Sequence, residues 1–294
     1  MVYANLLRMK EWVKNLFLFI PVFFSGKLFQ TDKLPELVLG FLSFSLVASS
    51  IYIINDYRDI EADRNHPVKK LRPLAAGKVP VKIALAICGL CALAGLFIAY
   101  KLNNIFLVTV AFYYIMNLAY SFGLKNISIL DINIIALGFV LRIKGGGLLA
   151  SVGISNWLTI MVFLLALFLA ITKRRDDLYL KQASGIDMRK AIKGYSLEML
   201  NIFLAVVTAI IIMAYIMYTI APETIRHIGT YRLHYTSIFV IAGLFRYLQI
   251  TYINKSSESP TKTLYKDLFI QVVLVLWILS FYAILYLPKT KIFL

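Results

Sequence analysis

Cysteine is nearly absent from this chain. Two residues, Cys88 and Cys91, form a CxxC inside an apolar segment, with no neighbouring His and no second pair. Neither a zinc site nor a redox pair is encoded, and ordinary packing is their reading. Low-complexity linkers are missing, as is any polar stretch long enough for a soluble module: the longest polar segments are loops at about 57–81 and 173–196. Both loops begin with charges at the end of an apolar run and mix acids with bases, a pattern of two related halves without a residue-level repeat. The alternation that membrane barrel strands show over about ten residues is absent too, which excludes a β-barrel. No small-residue cleavage site follows the first apolar stretch, which is aromatic-rich and contains Pro21, so that segment is expected to stay.

What remains is apolar. Hydrophobic residues make up 60% of the 294 positions and the mean hydropathy is +0.78, the composition of an integral membrane protein. Continuous apolar stretches fall near 12–29, 36–56, 82–100, 104–121, 128–152, 155–172, 199–220, 235–253 and 267–287. They predict an all-α, polytopic membrane protein with nine transmembrane helices in a single domain, 1–294. With the helices drawn so, 20 of the 31 Lys and Arg residues fall on one side and seven on the other. The remaining four, Lys82, Arg142, Lys144 and Arg246, lie within drawn helices. The positive-inside rule then puts the N-terminus in the cytoplasm and the C-terminus outside. The formal charge of +16 follows from this topology and does not signal nucleic-acid binding. Ser256-Ser257-Glu258-Ser259-Pro260-Thr261 reads as an exposed turn.

Against this apolar background stands Asn55-Asp56-Tyr57-Arg58-Asp59-Ile60-Glu61-Ala62-Asp63, an NDxxDxxxD run at the end of the second stretch. Acids at i, i+3 and i+7 would line one helix face, spaced to share divalent cations. Arg64, His66-Pro67, Lys69-Lys70, Arg72-Pro73 and Gly77 follow. Magnesium takes a few carboxylates plus substrate phosphate oxygens, while Lys and Arg neutralise the remaining anionic oxygens. The mixture suits a magnesium-bound diphosphate at the membrane surface. The plainer alternative is a solvated loop whose charges pair with one another.

At these residues the sequence resembles the UbiA superfamily of intramembrane transferases, over nearly the whole chain. Arg72-Pro73-Leu74-Ala75-Ala76-Gly77 is similar to that family's RPL-type loop. The resemblance implies a central cavity open to the cytoplasm and laterally to lipid, Mg2+ as cofactor, and Asn55, Asp56, Asp59 and Asp63 as its ligands. Aromatic prenyltransferases of the superfamily carry a DxxxD motif after the sixth helix. Here Lys173-Arg174-Arg175-Asp176-Asp177-Leu178 stands instead, and its adjacent acids diverge by about 100° on a helix. That departure resembles the decaprenyl-phosphate phosphoribosyltransferase branch, with Lys173, Arg174 and Asp177 matching its pattern. Arg8-Met9-Lys10-Glu11-Trp12-Val13-Lys14-Asn15 resembles the branch's RPKQWVKN-type start, Met9 replacing the proline. Tyr120-Ser121-Phe122-Gly123-Leu124-Lys125 and Leu141-Arg142-Ile143-Lys144-Gly145-Gly146 are similar to its other segments.

The branch implies transfer of a phosphoribosyl group from phosphoribosyl pyrophosphate to a polyprenyl phosphate in the bacterial inner (plasma) membrane. Asp56, Asp59 and Asp63 would carry catalysis. Lys14, Asn55, Arg72, Tyr120, Lys125, Arg142, Lys173, Arg174 and Asp177 would bind the substrates. A strong protein base is not needed, so His66 has no required role. Lys14 and Lys125 have interfacial anchoring as an equal alternative. An unpaired Arg142 inside an apolar helix would cost about 2.5–3.5 kcal/mol, so it should face a polar cavity or an acid such as Asp131. Gly145–Gly147 would break that helix or let it pack closely. The competing reading moves an isoprenoid from a prenyl diphosphate to a small acceptor. Membrane lipids surround either enzyme, and a homo-oligomer is compatible with both.

Overall fold

The computed structural model describes residues 2–27, 32–65, 68–184, 190–253 and 266–286. His66, Pro67 and the Ser256–Thr261 turn lie outside the described residues. Among the described residues every regular element is helical: α1 Val2–Leu6, a 3-10 helix Met9–Phe19, α2 Ile20–Phe24, α3 Leu34–Arg58, α4 Ile60–Arg64, α5 Val81–Leu102, α6 Asn104–Phe122, α7 Leu130–Leu149, α8 Asn156–Ser184, α9 Leu197–Ile220, α10 Pro222–Ile228, α11 Ser237–Ile253 and α12 Leu268–Tyr286, with short 3-10 turns at Lys69–Leu71, Leu124–Asn126, Lys190–Gly194 and Arg232–Thr236. Among the described residues eight helices are long and apolar enough to cross a membrane. Their ends carry local signals. Asn103 caps α6 by accepting from the Ile105 and Phe106 amides, at 2.8 and 3.2 Å, and the Ser196 hydroxyl accepts from the Met199 amide at the start of α9.

Two compact units divide the chain. Unit one comprises Met1–Lys125 with Leu137–Ile154, and unit two comprises Asn126–Ala136 with Ser155–Leu294. In unit one α3 packs on α5 and α6, and Gly95 permits the close approach: a Cβ there would stand 2.7 Å from Val47 Cγ2 and 2.9 Å from the Ser43 carbonyl. The glycine triplet of α7 leaves its helix unbroken. It serves contact instead, since a Cβ at Gly146 would collide with the Leu18 backbone. In unit two α8 packs on α9, and α11 on α12, around buried Phe168, Ile171, Leu200, Leu204 and Tyr247.

The first apolar run departs from the expected α-helix over 12–29. Its regular part starts earlier, at Met9, and is 3-10 as far as Phe19. Contacts with α3 show why so few residues suffice. Arg8 meets Asp56, Trp12 Nε1 donates to Ser49 Oγ at 3.0 Å, Asn15 Nδ2 donates to Ser45 Oγ at 2.9 Å, and Leu18 packs at Gly40. From Asp56 to Gly40 is about 24 Å of α-helix. The ten steps from Arg8 to Leu18 rise about 20 Å, against about 15 Å in an α-helix, because a 3-10 helix rises about 2.0 Å per residue instead of 1.5 Å. Side-chain bonds to two α3 serines hold it there.

Candidate active site

The carboxylate run straddles a joint. α3 stops at Arg58 and α4 starts at Ile60, with Asp59 between them at φ −99° and ψ 9°. The three acids therefore do not share one continuous helix face as expected. Asp56 and Asp63, each nearly fully buried, turn to the same cation: Arg72 Nη1 lies 3.1 Å from Asp56 Oδ1 and 2.5 Å from Asp63 Oδ2. Arg8 also grips Asp56 with two of its nitrogens and stacks over the Tyr52 ring. Asp59 faces elsewhere. Lys125 Nζ donates to its two oxygens at 2.7 and 2.9 Å, and Asn55 joins this second group, its amide donating to Asp59 at 3.1 Å and its carbonyl accepting from Lys125 at 3.2 Å. Nearby, Arg58 ties α3 to the end of α6 by donating to the Ser121 carbonyl.

These residues fit a hard divalent cation by donor chemistry. Two carboxylates already converge on one positively charged nitrogen, and Asn55 and Asp59 add oxygen donors one turn away. Among the described residues the acids do not close into a three-ligand cluster, because Arg8, Arg72 and Lys125 hold them.

Deeper in unit one lies Arg142, 5% exposed. Its partners are neutral: Nε donates to Asn15 Oδ1 at 2.7 Å, Nη1 to the Gly138 carbonyl at 2.7 Å and Nη2 to Tyr113 Oη at 2.8 Å. The Tyr113 and Phe139 rings face its guanidinium. The expected acidic partner, Asp131, is used otherwise. In unit two Arg174 Nε donates to Asp131 Oδ2 at 2.5 Å and Nη1 to Asp177 Oδ2 at 3.1 Å. Tyr195 completes this group by donating to Asp131 Oδ1 at 2.7 Å while accepting from the Ile129 amide at 2.5 Å. Burial and the bond to Asp131 both push its phenol up, so it stays protonated as the donor. Arg175 is also buried, spanning Asn201 and the Thr251 carbonyl.

The structure thus brings Asn55, Asp56, Asp59, Asp63, Arg72 and Lys125 together in unit one, and Arg174 with Asp177 in unit two. Lys173 is exposed beside Arg174, and Tyr120 is half-buried on α6. Lys14 pairs with Glu11 at 2.5 Å along its own segment. Sequence reasoning missed Arg8, Asn15, Tyr113 and Tyr195. Arg8 opened a quoted motif and Asn15 closed it, which was a usable signal; Tyr113 and Tyr195 carried none, since tyrosine is abundant throughout.

A model of the UbiA prenyltransferase family matches residues 18–273. The chain is similar to decaprenyl-phosphate phosphoribosyltransferases. Identity is 31% to that of Mycolicibacterium smegmatis, over 95% of this chain and 91% of the relative. It is 32% to that of Corynebacterium glutamicum, over 71% of this chain and 64% of the relative. Among solved structures, a UbiA homologue from Archaeoglobus fulgidus bound to GPP and Mg2+ superposes with a TM-score of 0.73 at 22% identity, over 97% of this chain and 99% of that one. The matched span and the whole-chain relative lead to one conclusion: this protein belongs to the UbiA prenyltransferase family and is a membrane transferase.

Proposed function

We propose that this enzyme transfers the phosphoribosyl group of phosphoribosyl pyrophosphate to a polyprenyl phosphate, releasing pyrophosphate. The observation that carries the reading is the similarity to a decaprenyl-phosphate phosphoribosyltransferase over 95% of the chain. The second charged cluster supports it. Arg174 and Asp177 are bonded to each other there, where a prenyltransferase would present a pair of metal-binding acids.

Asn55, Asp56, Asp59 and Asp63 would hold Mg2+, which when bound neutralises the pyrophosphate as it departs. Arg72 and Lys125, released from the carboxylates, turn to the anionic oxygens of the substrate. A lipid phosphate oxygen attacks the sugar C1 and forms the new C–O bond as the bond from C1 to pyrophosphate breaks, the leaving group keeping the electron pair. The attacking oxygen is already anionic, so no side chain need accept a proton. Exposed Lys173 meets phosphate. Buried Arg174 orients Asp177 toward ribose hydroxyls or a further ion, and Arg142 with Lys14 serves the remaining phosphate. Tyr120 lines the pocket. A cavity open to the cytoplasm and to lipid, within a single domain of the bacterial inner membrane, belongs to this proposal.

The second reading, prenyl transfer to a small acceptor, draws on the family's description and on the GPP bound by the Archaeoglobus homologue. Purified protein in nanodiscs, given magnesium, polyprenyl phosphate and phosphoribosyl pyrophosphate, is expected to yield lipid-linked phosphoribose and pyrophosphate by mass spectrometry. Asp59→Asn is expected to abolish both. Product from a prenyl diphosphate and an aromatic acceptor, with none from the sugar donor across several lipid lengths, would replace this reading by the second.

A further inference from the structure

The far end of α7 carries a lysine that the transferase chemistry does not use. Lys144 lies within the membrane-spanning helix Leu130–Leu149 and is exposed. Within unit one, the contacts of α7 run from Gly138 and Arg142 beside Tyr113, in mid α6, to Gly145 against Phe106 and Leu149 at Gly40. Phe106 and Gly40 mark the starts of α6 and α3, and the carboxylate run lies at the other end of α3. Lys144 therefore sits in the half of the span remote from those acids.

An intramembrane ammonium needs a counter-charge or a route to water. Lys144 is five residues from the end of α7, about 7.5 Å by helical rise. Among the described residues Lys144 has no hydrogen-bond or ion-pair partner.

The chain supplies a concave surface beside it. After α7 the backbone turns back at Ser151, whose φ of +52° is unusual for a residue with a side chain. The Val152 amide donates to the Gly147 carbonyl at 2.9 Å. Gly147 leaves room for the returning segment, since a Cβ there would lie 2.5 Å from Ile154. The result is an open cavity of about 440 Å³ lined by Lys144, Gly147, Leu148, Ser151, Val152 and Ile154. Ser151 is exposed and, among the described residues, its hydroxyl has no partner. One ammonium and one hydroxyl thus share a cavity with apolar walls, open on a membrane-spanning helix.

We propose that Lys144 and Ser151 form a binding site for the phosphate-bearing headgroup of a membrane lipid, in the half of the span remote from the carboxylate run. The cation supplies charge complementarity and the hydroxyl a hydrogen bond, while Leu148, Val152 and Ile154 line the rest of the cavity. The site requires no transferase substrate and stands apart from the proposed reaction.

Native mass spectrometry of the detergent-purified protein titrated with phosphatidylglycerol tests it. Lys144→Gln is expected to weaken the tightest lipid association about tenfold, the scale of one charge-assisted hydrogen bond. Lys144→Arg should retain it. Ser151→Gly removes the hydroxyl while suiting the positive φ, and should weaken binding without lowering the melting temperature. Inorganic phosphate at equal concentration should not compete. Unchanged binding in Lys144→Gln and Ser151→Gly would overturn the site, and competition by inorganic phosphate would overturn a lipid as its source.

Discussion

Arg142 shows how a buried charge can be kept without an opposing one. Asn15, Tyr113 and the Gly138 carbonyl direct three oxygens at its guanidinium, and aromatic faces cover part of the rest. Each bond to a charged group contributes about 1.5–3 kcal/mol, because its loss leaves a buried ion short of a partner. Tyr113→Phe removes one such bond with little change of shape. We expect it to cost about that amount and to lower the melting temperature by several degrees in detergent, whereas Tyr114→Phe on the same helix should leave it within error. Equal melting of the two variants would mean that the phenol does not hold the arginine. Composition indicated that Arg142 needed company. It could not supply the company's identity, since the partners stand 127 and 29 positions away and are neutral.

At the scale of elements, continuous apolar runs made eight spans readable, because a helix that buries its own backbone groups in lipid needs little beyond length and hydropathy. The first run misled for a physical reason. Its backbone is 3-10 and its fixings are hydrogen bonds to Ser45 and Ser49, which only the folded α3 presents. The joint at Asp59 was equally hidden: spacing alone aligned three acids, and the break turned one toward Lys125. A different pairing joins α11 to α12, where Arg246 Nη2 lies 2.8 Å from Asp267 Oδ2. That guanidinium holds the Asp267 carboxyl below the ordinary carboxylate range. The unfolded chain therefore takes up the proton first as pH falls, so the pair stabilises the fold above about pH 4 and ceases to do so below the lowered folded value. Asp267→Asn should melt below the parent at pH 7, by a gap that is smaller at pH 3. A gap of the same size at both values would show that the pair carries no charge-dependent stability.

For the molecule as a whole, the parity of membrane crossings decides where the chain ends. Eight spans alone would place both termini on one side. The 3-10 helix Met9–Phe19 and α2 add about 30 Å of rise, the thickness of a bilayer's hydrocarbon core. Arg8 at Asp56 and Leu18 at Gly40 show that this segment runs alongside most of α3. We therefore expect nine crossings and termini on opposite sides. From the excess of Lys and Arg in the loops that follow α3 and α8 we expect the N-terminus in the cytoplasm. In a bacterial host, a fluorescent protein fused to the N-terminus should mature, and alkaline phosphatase fused to the C-terminus should be active because it reaches the oxidising side. The reverse pair of fusions should both be silent. Activity of phosphatase at both ends, or at neither, would remove the first segment from the crossings. The basic residues around the carboxylate run would then have to be explained by substrate charge without help from topology.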